Sequence, residues 1–496
     1  DIDDDNDAEI NYVVCAANSH LDGFTVEKGH DRGVSINNCI STIANCVVRD
    51  NKNTYYGNGC GIYCENNADA AIINCFINNN YGDGIYCEDT GTIVNIDHCT
   101  VTNNRTGNLI AASSAVNAVD SIFSNSSNGC GVNAGNSDLT IEKCDISDNA
   151  NIGVYLDYYS TASIRRCNIR RNGNYAGLYV YSSQANVMYS VISDSSGDGV
   201  QITGSGESIS RLANNLIYGN GAKGISLENY SEIRDNSIVK NGSYGIESYY
   251  DPNINSNIIY YNNTGGQQLN GSFTKVNYNC IQNYTGGGTG NTSQLPQFKN
   301  ADANDFHLTS ASTYCINAGN PYFTPDTNET DIDGEARIML NRVDMGADEF
   351  YHSAADIAPN PVDGYVNFLD FAALAGGWQN NFDIYDLAVL AEDWLWVAGW
   401  NLDNGIGGDG AYFAEAECPL EGGQMMMMSM QSQSLSVSPQ LYVGGSSESA
   451  ISAEPFDVNE TLNWLDDLWQ ADESIRNSID ANSWQEFIDA IKNSEE

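Results

Sequence analysis

The sequence predicts an all-β chain: a parallel β-helix of about 12 coils, followed by small α-helical segments at its C-terminal end. Three observations carry this. The phrase CVVRDN at Cys46 returns as CFINNN at Cys75, CTVTNN at Cys99, CDISDN at Cys144 and CNIRRN at Cys167. The column so defined opens at Phe24 and continues through Ser121, Ser190, Asn215, Asn236, Asn257 and Asn279, at spacings of 21 to 29 residues. Within each repeat the apolar residues alternate with the period of two that marks a strand, not the 3.6 of a helix.

A repeat near 23 residues with short strands and no helical stretch closes one coil, and coils stack at about 4.8 Å. Leucine-rich repeats share the length, but their leucine–asparagine consensus is missing. An aliphatic column runs three residues before the phrase, from Ile43 to Val276, and another two residues after it, from Val48 to Ile281. Five residues after it stand Asn51, Asn80, Asn104, Asn149, Asn172, Asn220, Asn241 and Asn262. Stacking turns the aliphatic columns into a continuous core and lets buried amides hydrogen-bond from coil to coil. Cys46, Cys75, Cys99, Cys144, Cys167, Asn215, Asn236, Asn257 and Asn279 are therefore a structural ladder, with the cysteines acting as small buried hydrophobes. A second phrase, GIYC at Gly61 and Gly84, GVYL at Gly153 and GLYV at Gly177, supplies another strand. Its Tyr63, Tyr86, Tyr155 and Tyr179 fall between inward positions, so they should share an outward column able to stack sugars or bury at an interface.

Composition narrows the partners. Sixty-five acidic residues against 20 basic give a net charge of −45. Such a surface repels nucleic acid and anionic membranes and attracts cations, Ca²⁺ first. No apolar run reaches the length of about 18 residues that a membrane span needs. The chain reads as a mature secreted product, extracellular or at the cell surface, with no membrane insertion. Off-column Cys15, Cys39, Cys60, Cys130, Cys280, Cys315 and Cys418 are the disulfide candidates, Cys280 with Cys315 first.

LDGFTVEKG at Leu21, the GIYC coils, and the closing block YCINAGNP, TDIDGEARI and RVDMGADEF between 314 and 350 are together similar to the secreted bacterial right-handed parallel β-helix repeat proteins, related in fold to pectate lyases. The resemblance implies right-handed coils and no single activity. Residues 359–396 resemble the degenerate dockerin-like segment found behind such domains. Asp363, Asn367 and Asp370 fit the last three oxygen-ligand positions of a calcium loop, while Pro359 and Pro361 occupy the first two. ETDIDGE resembles the start of an EF-hand loop, which makes Asp331 and Asp333 cation candidates, although Leu340 stands where the loop wants glutamate.

These boundaries follow: 1–300 β-helix, 301–353 its closing segment, 354–402 the dockerin-like helices, 403–455 a Gly/Met/Ser-rich linker or docking strand, and 456–496 a helical hairpin. In the hairpin, Leu465 and Trp469 share one apolar face and Trp484 and Phe487 another, as candidates for docking on a further copy. No catalytic constellation stands out. The one basic cluster, Arg165, Arg166, Arg170 and Arg171, should stack with Lys143 and Tyr189 on one side and Asp148 and Asp194 on the other, as a salt-bridged ladder. The sequence therefore points to a non-enzymatic structural protein that assembles with copies of itself into a filament or surface layer. The alternative is a polysaccharide lyase or hydrolase, or a carbohydrate-binding adhesin. No cofactor beyond Ca²⁺ is suggested.

Overall fold

The computed structural model describes residues 13–350, apart from 16–18, 53–58, 205–208, 328 and 339–341, together with 373–374. The chain divides into two compact units, and residues 13–350 lie in the first. Each coil gives one strand to each of three parallel sheets, and each sheet has twelve strands, hence eleven coil-to-coil steps. In one coil the first-sheet strand is Asp83–Glu88, the second-sheet strand Ile93–Asp97 and the third-sheet strand Thr100–Thr102. Equivalent residues pair directly: Ile72 with Ile96, and Ile146 with Ile169. Both aliphatic columns are sealed inside, with Ile43, Ile72, Ile164, Val48, Ile146 and Ile169 at 0% exposure.

The corner between the second and third sheets explains the recurring phrase. The chain bends there through one left-handed residue, with φ of 51° at Asn74, 50° at His98, 53° at Lys143, 51° at Arg166 and 55° at Asn214. The residue after the bend points inward and mends the hydrogen bonding that the bend disrupts. The thiols of Cys75, Cys144 and Cys167 reach the carbonyls of Ile73, Glu142 and Arg165 at 3.2, 3.3 and 3.2 Å. Ser121 Oγ reaches Val119 O at 2.7 Å and accepts the Cys99 N–H at 3.0 Å. Asn236 does both jobs at full strength: Nδ2 donates to Arg234 O and Leu212 O, and Oδ1 accepts Asn215 N. Cysteine, serine and asparagine thus alternate in one column because each carries a donor near Cβ. Phe24 does not belong inside: it is 58% exposed, since a corner that seats these small polar groups has no room for a phenyl ring.

The second asparagine ladder lines the opposite corner. Asn51 Nδ2 donates to Asn80 Oδ1 at 2.8 Å, Asn80 to Asn104 at 3.0 Å, Asn149 to Asn172 at 3.0 Å and Asn241 to Asn262 at 2.9 Å. Two coils have a shorter serine at this position, Ser126 and Ser195. At Ser126, Asn108 bridges the gap, accepting from Asn104 at 3.1 Å and donating to Asn149 at 2.9 Å. Asn108 occupies the column that is glycine in neighbouring coils, where a Cβ on Gly153 would lie 2.5 Å from Gly177 O.

The twelve cysteines from Cys39 to Cys315 are buried free thiols. Cys280 and Cys315 do meet, thiol against thiol, in a cluster where Phe306, Leu308, Cys315 and Met345 of the closing segment cover Tyr218, Val239, Ile258 and Tyr260 of the third sheet. The third-sheet strand of the last coil, Cys280–Ile281, is covered by its own chain. Thr292 N donates to Asn279 O and Ile281 N to Thr292 O, each at 2.8 Å, so that edge is not open to a further copy. Leu465, Trp469, Trp484 and Phe487 lie outside the described residues, as do Asp363, Asn367 and Asp370. No helix among the described residues is long and apolar enough to cross a membrane.

Two outcomes follow from this packing. Cys144→Ser keeps a corner donor and should cost under about 1 kcal/mol, whereas Cys144→Val removes it and should cost about 1–3 kcal/mol, read by denaturant melts. Asp83 accepts from Thr106 Oγ1 at 2.6 Å, yet burial pushes its carboxyl up to about 6. The fold therefore disfavours its charged form. The stability it contributes is fully present below the ordinary carboxylate pKa of about 3.9 and is lost as pH rises through about 6. Asp83→Asn should raise stability near pH 8 by on the order of 1 kcal/mol and change little near pH 4.

Candidate functional site

Strand alternation on the second sheet faces a row of small polar side chains to solvent. Inward go Val94, Val116, Leu139 and Ala162. Outward, one above another in register, go Asn95, Asn117, Thr140, Ser163 and Asn186. A groove of about 450 Å³ runs over this row, with Ala115, Asp138, Thr161 and Gln184 along one flank. Its steps are the coil spacing of about 4.8 Å. The floor is apolar under a regular line of amides and hydroxyls that can donate or accept. Asn186 Oδ1 is buried there with no hydrogen-bond partner. The one carboxylate in the lining, Asp138, already accepts from Thr161 Oγ1. No lysine or arginine lines the groove.

The predicted residues lie elsewhere. Tyr63 stacks on Tyr86 with centroids 5.1 Å apart, and Tyr155 on Tyr179 at 5.2 Å. They share a first-sheet column, but Ile110 and Asn133 separate the two pairs. All four rings are half-buried. The Arg32 guanidinium lies 3.5 Å over the Tyr63 ring, whose hydroxyl bonds Glu88, while the Tyr155 hydroxyl donates to Asp157 at 2.9 Å. Burial beside carboxylates pushes the Tyr63 and Tyr155 phenols upward.

Three of the four arginines pair with an acid in the preceding coil, while Arg165 reaches Met188 Sδ at 3.5 Å. Arg171 grips Asp148 with two bonds of 2.9 and 2.8 Å, Arg170 contacts Asp145 at 3.1 Å, and Arg166 contacts Glu142 at 3.5 Å. The hydrogen bonds from Arg171 hold the Asp148 carboxyl below its usual range. In the closing segment, Asp331 Oδ1 accepts the N–H groups of Asp333, Gly334 and Glu335, and its Oδ2 accepts that of Glu349. Both oxygens are therefore spent on shaping the loop. Asp333 instead turns to His307, 3.1 Å from Nε2.

The groove was missed from sequence although its signal was present: four residues before each corner residue, coils from Asn95 to Asn186 carry Asn, Thr or Ser. A polar outward position in a strand has many causes, and only the trough around it gives it meaning.

Two overlapping stretches, 60–188 and 162–301, match the family model described as "Right handed beta helix region". Residues 60–301 are right-handed β-helix repeat. The β-helix is similar to solved structures as well. Pectate lyase Pel9A is 16% identical, covering 68% of this chain and 88% of its own, with a TM-score of 0.41. The periplasmic alginate epimerase AlgG is 12% identical, covering 53% and 76%, also at 0.41. No curated protein matches the sequence significantly.

Because the Arg171–Asp148 pair is solvent-exposed, Arg171→Ala should lower the stability of the β-helix by less than about 1 kcal/mol, and less still in high salt. Denaturant melts at two salt concentrations check this.

Proposed function

We propose that the second-sheet groove binds a neutral polysaccharide lying along the β-helix axis, and that the protein works outside the cytoplasm as a glycan-binding scaffold. The observation that carries this reading is the in-register row Asn117, Thr140, Ser163 and Asn186. Each coil offers one uncharged donor–acceptor group, at a spacing close to one sugar unit of an extended chain. The unpartnered Asn186 Oδ1 suits a sugar hydroxyl.

Charge selects among glycans. A net charge of −45 and a groove without lysine or arginine both work against uronic acid polymers. The geometry favours holding over cleaving. A glycosidase sets two carboxylates about 5–9 Å apart across the scissile bond, and the groove lining contains one, Asp138. Self-assembly rests on Leu465, Trp469, Trp484 and Phe487, outside the described residues.

Affinity electrophoresis through gels containing neutral glucans, xylan, pectin or alginate is the test. Retardation by a neutral polymer, weakened about tenfold in Asn117→Ala/Asn186→Ala and abolished by Ser163→Trp, is expected. Preferential retardation by the acidic polymers, or indifference to these variants, overturns the reading. Release of unsaturated uronate would make the protein a lyase instead.

A further inference from the structure

The closing segment contains charge that the groove does not use. His307, Asp333 and Asp348 come from three separate loops, yet one ligand atom from each lies within 4.8 Å of the other two. All three side chains are withdrawn from solvent: His307 is 5% exposed, Asp348 3%, and the Asp333 side chain 5%.

Two of their carboxylate oxygens, Asp333 Oδ2 and Asp348 Oδ1, are buried without a hydrogen-bond donor. Asp305 Oδ1 accepts from His307 Nδ1 at 2.5 Å, which fixes the ring and turns Nε2 toward Asp333. Asp348 Oδ2 accepts the Leu308 N–H at 2.6 Å, but its Oδ1 is buried with no partner at all. A buried carboxylate oxygen without a donor is costly, and proteins rarely leave one.

We propose that His307 Nε2, Asp333 and Asp348 bind one divalent transition-metal ion, of the Zn²⁺ or Mn²⁺ class. Three features select this class. Imidazole nitrogen is a poor ligand for Ca²⁺ and a good one for zinc and manganese. The carboxylate on the far ring nitrogen reproduces the carboxylate–histidine–metal arrangement, in which Asp305 is the positioning residue. Ligands about 2.1 Å from a metal stand about 3.4 Å apart, so the 3.1 Å separation of Nε2 and Asp333 Oδ2 already suits joint coordination. The ion fastens three loops of the closing segment to one another and places a positive charge among buried carboxylates.

The full-length protein, stripped with chelator and dialysed, is titrated with Zn²⁺, Mn²⁺ and Ca²⁺ by calorimetry and then melted. One equivalent of Zn²⁺ or Mn²⁺ should bind and raise the melting temperature by several degrees, with Ca²⁺ at least tenfold weaker at this site. Asp348→Asn and His307→Gln should each abolish that equivalent, and Asp305→Asn should weaken it about tenfold. His98→Ala removes the exposed Asp97–His98–Asp120 group and should leave it intact. If a ligand variant fails to fold, Co²⁺ loaded into the unaltered protein should give a visible spectrum that excess Zn²⁺ abolishes. Absence of a stoichiometric transition-metal site, a site that persists in Asp348→Asn, or one lost in His98→Ala overturns the proposal.

Discussion

The fold depends on how the corners are mended. Three sheets close into a coil only if the chain turns sharply, and here each turn from the second sheet to the third passes through a left-handed residue that is seldom glycine: asparagine, aspartate, serine, histidine, lysine, arginine or tyrosine. Every such turn takes peptide groups out of the sheet ladders and buries them. The residue after the turn returns them to a hydrogen-bonded state by reaching to the coils on either side. Strain and repair are thus repeated at every level, and no coil is complete without its neighbours. The aliphatic core stabilises the stack by burial, but the ladders fix its register.

This division explains what the sequence reveals. The interior was legible because it repeats: a column that must hold a small polar donor, flanked at fixed offsets by aliphatics, leaves the same mark in every coil. At Ser126 the short serine is compensated by the amide of Asn108, where glycine usually stands, whereas at Ser195 the neighbouring positions stay glycine. The outer face is less legible. Tyr63, Tyr86, Tyr155 and Tyr179 were placed in the right column, yet the column is broken in the middle and its rings are tied to neighbouring polar groups. Asn117, Thr140, Ser163 and Asn186 looked unremarkable because polar outward residues are the default for a strand. The closing segment was legible only as a set of phrases. His307 and Asp333 are 26 residues apart and Asp348 lies 15 further on, with no period to bring them together.

Charge follows a similar split. Along the coils, most arginines are matched to aspartate or glutamate one storey away, and the exposed pairs contribute little. In the closing segment carboxylates are buried at high density. Arg337 is fully enclosed, 2.9 Å from Glu349, and Arg234 meets Glu329 at 2.7 Å. Burial pushes Asp344 up to about 6 and Glu349 well above its ordinary range. Along the described coils most acidic side chains stay in contact with water, while this segment concentrates acidity where desolvation is felt.

The tucked-in end of the stack also bears on how the chain matures. During synthesis from the N-terminus, each finished coil offers the template on which the next one condenses, and that template remains adhesive until residues near Thr292 arrive to blunt it. The molecule therefore carries its own stop signal just beyond the last coil. A polypeptide truncated short of that point would stay a sticky-ended, aggregation-prone fragment however well its earlier coils had formed.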